Sequence, residues 1–395
     1  MSEADVVVVG ADPTGLVTAL GLARAGFRVL VADTGRDGIA SAYCAHDWSV
    51  LPGLDRLGVL DDALRAGFAS TRWCLRVLRS GERIDLDLRV LDGITPFPLT
   101  LHLEQAALCR ILEQHLAIES TARIERDVRL VGLAQDDAGV DVILDGGGAP
   151  GRIRADWVVG ADGIHSAVRR HIGLGFPGYT WPERSVVALI DGDLAELGYA
   201  GTTFQVDDRY GAVVQRVDDR RWRYTFAEPL TLPVDRVAER IPEALRAVGD
   251  EAEYAVLEWH SARMHQRSAE RYRVGRVLLA GEAAHVTNRM VGHSPISAFF
   301  DAFRLTEALS AVLGGHADDT VLDVYAADRR RIFHDHAAPL SASRKHLISQ
   351  ISDHDRLETE LEYYRRASAD PGALRDLLLF NRELEGRSPL DSAGR

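Results

Sequence analysis

At 395 residues the chain can hold two domains, or one large α/β domain with an insertion. Its 46% hydrophobic content and 35 glycines suit a packed globular protein, and a net charge of −13 with both signs interspersed argues against a nucleic-acid binder. Cys44, Cys74 and Cys109 lie too far apart for a disulfide framework or a zinc knuckle, and no leader or apolar run of about 18 to 20 residues is visible, so the expectation is a cytoplasmic protein with no membrane span.

In chain order, Val6 to Val9 is an unbroken β-branched run, the pattern of a parallel strand buried on both faces. Gly10 to Gly15 is a glycine-bounded turn, Leu16 to Ala25 has helical spacing, and Gly26 closes that helix. Phe27 to Asp33 is a second strand ending in an acid. This strand, glycine turn, helix, strand and acid make the dinucleotide-binding fingerprint in its proper context, with the acid placed for an adenosine ribose.

The middle glycine of that fingerprint is Asp12, which adds bulk and negative charge beside a pyrophosphate. Two unit charges about 4 Å apart at an effective dielectric near 20 repel by roughly 4 kcal/mol. Uncompensated, this is about three decades of affinity. The alternative is that Asp12 turns toward solvent and the cofactor shifts slightly.

Gly38 to Asp47 reads as a loop, and Trp48 to Leu57 as a helix interrupted at Pro52. Trp73 to Leu88 alternates as an antiparallel hairpin turning near Gly81. His102 to His115 is amphipathic and helical. Val128 to Leu133 and Val140 to Leu144 form a strand pair. Ala155 to Val159 is a buried strand that runs into Gly160, Ala161, Asp162 and Gly163, with Ser166, Val168 and Arg169 opening a helix. From Ser185 to Ala227 short strands separated by acidic turns predict an antiparallel meander. Pro233 to Val248 is a helix and Tyr254 to Trp259 a strand. Val277 to Ala280 is a buried strand leading to Gly281, Glu282 and His285, a loop from Thr287 to Pro295, and a helix from about Ile296 through Asp301. Such a strand end facing a helix start is a site for an anionic or polar group. Helices are predicted at Asp323 to His334, Leu340 to about Arg366, and Pro371 to Glu385. His334 and His336 are two apart on a helix and point away from each other, so no metal site is expected.

Three of these stretches resemble the class A flavoprotein monooxygenases, the para-hydroxybenzoate hydroxylase fold. Gly10 to Gly15 resembles the first FAD motif, Gly160 to Gly163 with Ser166 and Arg169 the "DG" motif, and Gly275 to His285 the "GD" motif. Gln105 stands where the family has a flavin-contacting glutamine, and Tyr325 with Arg329 and Arg330 resembles its closing helix. The resemblance covers roughly residues 4 to 340 and implies an α/β, Rossmann-like FAD-binding fold with an inserted antiparallel β-sheet substrate domain and C-terminal helices. The implied division gives residues 1–70, 100–180 and 268–340 to a discontinuous FAD-binding-type domain. Residues 71–99 and 181–267 form the substrate sheet, and 341–395 a C-terminal helical segment. The cofactor positions carried over are Gly10, Asp12, Gly15, Asp33, Gln105, Asp162 and Glu282.

Four departures from the family pattern shape the functional expectation. Asp12 replaces a glycine, and residues 40–45 hold no arginine for the pyrophosphate. Glu282 is a methylene longer than the family's aspartate. Asn288 to Ile296 keeps one glycine where the family has several, and Pro295 removes an N–H. Together they lead to the expectation that FAD is lost or bound very weakly. A non-redox enzyme would remain, catalysing cyclisation, dehydration, isomerisation or ring opening on an aromatic or polyketide-type, hydrophobic and oxygenated small molecule. His293 is the first candidate acid or base and Asp47 the second, with His46, Arg289 and Tyr43 completing the set. The alternatives are an FAD- and NAD(P)H-dependent hydroxylase, and a non-catalytic partner of a related oxygenase. A homo-oligomer or an oxygenase partner is also open.

Overall fold

The unbroken valine run becomes the centre of the first sheet. In the computed structural model, which describes residues 3–35, 45–248, 254–349 and 353–392, strand Ala4–Val9 lies between Val29–Ala32 and Gly151–Gly160 and runs parallel to both. Val277–Leu279 adds in parallel beyond Gly151–Gly160, and Ala122–Glu125 beyond Val29–Ala32. Val6, Val7 and Val8 are fully buried, as strands covered on both faces require. Because these strands run the same way, Gly10, Asp33, Asp162 and Gly281 all emerge at one end of the sheet. That carboxyl end is where open α/β sheets bind ligands.

Helix Pro13–Arg24 packs against Gln105–Ala117 and His293–Leu313. Its approach to the latter is close: a Cβ on Gly21 would stand 2.6 Å from the Thr306 methyl. A second sheet orders its strands as His285–Val286, Ala255–Ser268, Gly178–Asp191, Arg221–Pro229, Ala212–Arg216, Thr202–Val206, Arg72–Val77 and Glu82–Asp87. One face, with Val186, Ile190, Trp222 and Tyr224, is covered by Val237 and Ile241 of helix Val237–Arg246. The opposite face brings Val213 and Met264 against Met290 and Val291. The segment ahead of helix His293–Leu313 is thereby held against the second sheet.

The structure departs from the sequence reading in several places. The strands of the predicted meander pair antiparallel with one another, and the sheet becomes mixed only beyond them, where Thr202–Val206 pairs in parallel with Arg72–Val77. Pro52 lies in the first turn of Leu51–Arg56 and so starts that helix instead of breaking it, because first-turn N–H groups have no helical partner. The same reasoning admits Pro295 into the first turn of a helix that begins at His293, three residues earlier than expected. The predicted helix at Leu340 to Arg366 is two, Ala338–Ser349 and His354–Ala369. Asp353 caps the second by accepting from the N–H groups of Asp355 and Arg356. Among the described residues no helix is long and apolar enough to cross a membrane.

Candidate active site

The first FAD motif folds as a tight turn. Gly10 has φ +108°, and a Cβ there would sit 2.3 Å from the Ala161 carbonyl oxygen. A Cβ on Gly15 would sit 2.1 Å from the Gly10 carbonyl oxygen, so glycine is required at both positions. The N-terminus of helix Pro13–Arg24 opens directly from this turn, and its orphan N–H groups suit a pyrophosphate. Asp33 accepts from Ala11 N at 3.1 Å and from Arg126 Nη1 at 3.1 Å, which fixes a carboxylate at the ribose end. Asp162 directs its carboxylate to the N–H groups of Ala167 and Val168 and to the Ser166 hydroxyl, so it caps the helix that follows the second motif. At the third motif, Gly281 N donates to the buried Asp301 Oδ2 at 2.9 Å, and His285 Nε2 lies 2.7 Å from the same oxygen. A close-packed glycine cradle, a helix start and a fixed acid fit the adenosine and pyrophosphate portions of FAD.

Each departure from the family pattern that falls in the described residues has a local accommodation. Asp12 is exposed, with extended backbone, and its Oδ1 accepts from Gln105 Nε2 at 3.3 Å. Glu282 lies 3.8 Å from the Arg289 guanidinium, which offsets its charge. Asn288 turns into the protein, donating to Ser341 O and Oγ at 2.9 and 2.7 Å. Met290 and Val291 are buried against the second sheet. Gly292 takes φ +76°, the conformation for which the surviving glycine is needed. Asn288 is thus held at Ser341, and Met290 and Val291 at the second sheet. The residues 40–44 and the candidate Tyr43 lie outside the described residues.

Against the second sheet is a cavity of about 50 Å³, lined by Asp47 and His293 and by Trp73, Phe204, Arg344 and Asn381 among others. Asp47 is buried and accepts from Ser49 N at 3.0 Å, Ser49 Oγ at 2.5 Å and Asn381 Nδ2 at 3.1 Å. Burial pushes its carboxyl pKa up, with the Ser49 and Asn381 hydrogen bonds and nearby Arg344 opposing. His293 is 1% exposed, and its Nδ1 has no hydrogen-bond partner among the described residues. Burial, and then Arg344, hold its pKa well below the ordinary histidine value.

Of the candidate acid and base residues, Asp47 and His293 share this cavity. His46 is directed elsewhere: its Nε2 lies 3.0 Å from the Leu103 carbonyl, its ring packs edge-on to Phe299, and burial lowers its pKa to about 4. Arg289 is engaged with Glu282 and does not line the cavity.

Sequence reasoning missed Trp73, Phe204, Arg344 and Asn381. Asn381 reaches Asp47 across 334 residues of chain, a pairing with no sequence signal. Arg344 did leave one. It stands at i, i+3, i+4 spacing with Leu347 and Ile348, a basic residue on the apolar face of a helix. Arg223 was also missed. It is 4% exposed, its Nε and Nη1 have no acceptor among the described residues, and it pairs across strands with Gln215, another lining residue.

The family model described as "FAD binding domain" matches residues 3–338. The chain is 37% identical over 385 residues to 6-hydroxy-3-succinoylpyridine 3-monooxygenase HspB of Pseudomonas putida (strain DSM 28022 / S16), covering 96% of this chain and 98% of that protein. It is 33% identical over 394 residues to para-nitrophenol 4-monooxygenase of Pseudomonas sp. (strain WBC-3), covering 98% and 97%. Among solved structures, p-nitrophenol 4-monooxygenase PnpA from Pseudomonas putida DLL-E4 superposes with a TM-score of 0.93 at 33% identity, covering 97% of this chain and 98% of that one.

These relatives overturn the expectation that FAD is lost and that cyclisation, dehydration, isomerisation or ring opening remains. Proteins of monooxygenase name match this chain over nearly the full length of both. The physical reason lies in side-chain direction. The sequence reading charged Asp12, Glu282 and the Asn288 to Ile296 loop with filling the flavin site, whereas Glu282 is offset by Arg289 and Asn288, Met290 and Val291 point into the protein.

Proposed function

The chain belongs to the class A flavin-dependent monooxygenases, and from that premise we propose that it is an FAD- and NAD(P)H-dependent hydroxylase of a small phenol- or hydroxypyridine-type ring. The observation that carries this reading is the cavity against the second sheet, where a buried carboxylate and a buried imidazole meet aromatic walls. The names of two full-length relatives support the ring class: both put the oxygenated carbon para to a ring hydroxyl.

When bound, FAD reduced by a nicotinamide nucleotide supplies the activation of dioxygen. The Gly10 to Gly15 turn and the start of helix Pro13–Arg24 would hold the pyrophosphate, Asp33 the ribose, and Gln105 and Glu282 the flavin end. Asp162 supports this end by fixing the helix after the second motif. Trp73 and Phe204, packed edge to face with centroids 6.3 Å apart, exclude water from the ring. Asp47, its pKa raised by burial, takes the proton of the substrate hydroxyl and so enriches the para carbon in electron density. His293, whose pKa is held low, stays neutral and positions that hydroxyl by hydrogen bonding. The first sheet is thus the cofactor-binding body and the second the substrate cover.

The test uses purified protein with FAD, NADH or NADPH, and 4-nitrophenol or 6-hydroxypyridine-3-carboxylate. Equimolar consumption of nicotinamide nucleotide and dioxygen is expected, with oxygen placed on the para carbon, one water formed, and the para substituent released as nitrite from 4-nitrophenol, leaving benzoquinone, or as carbon dioxide from 6-hydroxypyridine-3-carboxylate, leaving a dihydroxypyridine. A protein that binds FAD yet oxidises neither nucleotide in the presence of any such ring refutes the reading.

A further inference from the structure

Arg344 lines two adjacent cavities. The first holds Asp47 and His293. The second, about 20 Å³, is walled by Leu75, Leu86, Leu347 and Leu377 among other apolar residues, with Tyr364 the other polar member. Trp73, Phe204 and Ile348 also stand beside Arg344 in this wall. Among the described residues the Arg344 guanidinium has no hydrogen bond and no ion pair. This sets it apart from neighbouring Lys345, whose Nζ lies 3.1 Å from Glu183 Oε2. Arg344 is half-buried and reaches Asp47 through charge, while no acceptor among the described residues takes up its N–H donors. Three polar atoms in the same cavity are buried without partners among the described residues, Thr202 Oγ1, His293 Nδ1 and Asn381 Oδ1. Buried polar groups in native proteins are almost always satisfied, so orphans gathered in one cavity mark a ligand's position.

We propose that Arg344 is a specificity-determining residue that binds a planar two-oxygen substituent of the substrate ring, an anionic carboxylate or the isosteric nitro group, by paired N–H donation. This rests on the reading of the cavity as the site of a hydroxylated ring. The guanidinium fork matches two coplanar oxygens, a geometry that a neutral alkyl group cannot use. The substrate class is accordingly a phenol or hydroxypyridine carrying both an ionisable hydroxyl, for Asp47 and His293, and a planar two-oxygen group. A small apolar portion between ring and anion would enter the second cavity.

The FAD-loaded protein is titrated with 4-hydroxybenzoate, 4-nitrophenol and the neutral 4-ethylphenol, following flavin fluorescence and heat. Arg344→Gln, Arg344→Lys and Arg223→Gln are compared, with circular dichroism to verify folding. Wild type is expected to bind at least one of the two probes with a planar two-oxygen group about 10- to 100-fold tighter than 4-ethylphenol. Arg344→Gln should lose that preference while keeping its affinity for 4-ethylphenol, and Arg344→Lys should restore part of it. A preference that survives Arg344→Gln, or that falls only with Arg223→Gln, overturns the assignment, as does a wild type with no preference. NAD(P)H oxidation is followed separately. Binding preference without any turnover would refute the hydroxylase reading and leave the Arg344 site standing.

Discussion

Arg329 Nε lies 2.7 Å from Asp301 Oδ1, and both side chains are buried. The other oxygen of Asp301 holds Gly281 N and faces His285 Nε2, so one carboxylate ties helix His293–Leu313 to the third motif and to helix Thr320–Ile332. Burial opposes ionisation of Asp301, yet His285 and Arg329 outweigh it and hold its pKa below the usual carboxylate value. A depressed folded-state pKa contributes stability that is full above the unfolded value near 3.9 and is lost as pH falls through the folded value. Arg329→Met leaves this carboxylate with one partner fewer, and should cost about 3 to 5 kcal/mol in urea denaturation at pH 7. Its acid unfolding should also begin at higher pH than that of wild type. A loss below about 1 kcal/mol would show that the pair does not anchor the motif.

Asp12 tests whether the altered fingerprint matters. Bare charge repulsion predicts that Asp12→Gly tightens FAD by about three decades. The exposed carboxylate engaged with Gln105 predicts much less, under about tenfold, in a flavin fluorescence titration. A gain of several hundredfold would mean that Asp12 faces the pyrophosphate after all.

The contrast marks what could be read from sequence. Buried parallel strands announce themselves through runs such as Val6 to Val9, and Gly10 and Gly15 through a turn that tolerates no Cβ. The family, the fold and the position of the site at the strand ends were therefore legible. Side-chain direction was not. Asn288 and Met290 looked like obstacles because a sequence does not say that one turns to Ser341 and the other to the second sheet. Nor does it bring Asn381 to Asp47, or set Thr202–Val206 parallel to Arg72–Val77, since both depend on packing between distant segments.

Asp47→Asn should separate stability from activity. The raised pKa means that the ionised form is disfavoured in the fold, so its unfavourable contribution grows as pH rises above the unfolded value and levels off above the folded one. Asparagine removes that charge. Asn381 Oδ1 has no partner among the described residues, and a flipped Asn381 amide can accept from the new amide group. The variant should melt at or above the wild-type temperature at pH 8, with the difference shrinking toward pH 4. Its kcat should fall about 100-fold or more if Asp47 takes the substrate proton. Unchanged turnover would remove Asp47 from that role.

His293 is expected to show the opposite division. Its pKa lies well below 6.5 through burial, with Arg344 adding to the effect, so the ring is neutral from pH 6 to 9 and its titration leaves no trace in the rate over that range. Any acid limb in kcat then belongs to Asp47, whose pKa is moved upward, and should disappear in Asp47→Asn but persist in His293→Gln. Glutamine keeps a donor and an acceptor close to where the imidazole stood, so His293→Gln should raise KM about tenfold, the effect of one weakened hydrogen bond, with kcat falling less. His293→Ala should weaken binding further and lose coupling, so that NAD(P)H oxidation exceeds product formation. An acid limb near pH 6.5 that vanishes in His293→Gln would instead identify the imidazole as the titrating base. It would also show that bound substrate opens this buried site to water enough to restore an ordinary histidine pKa.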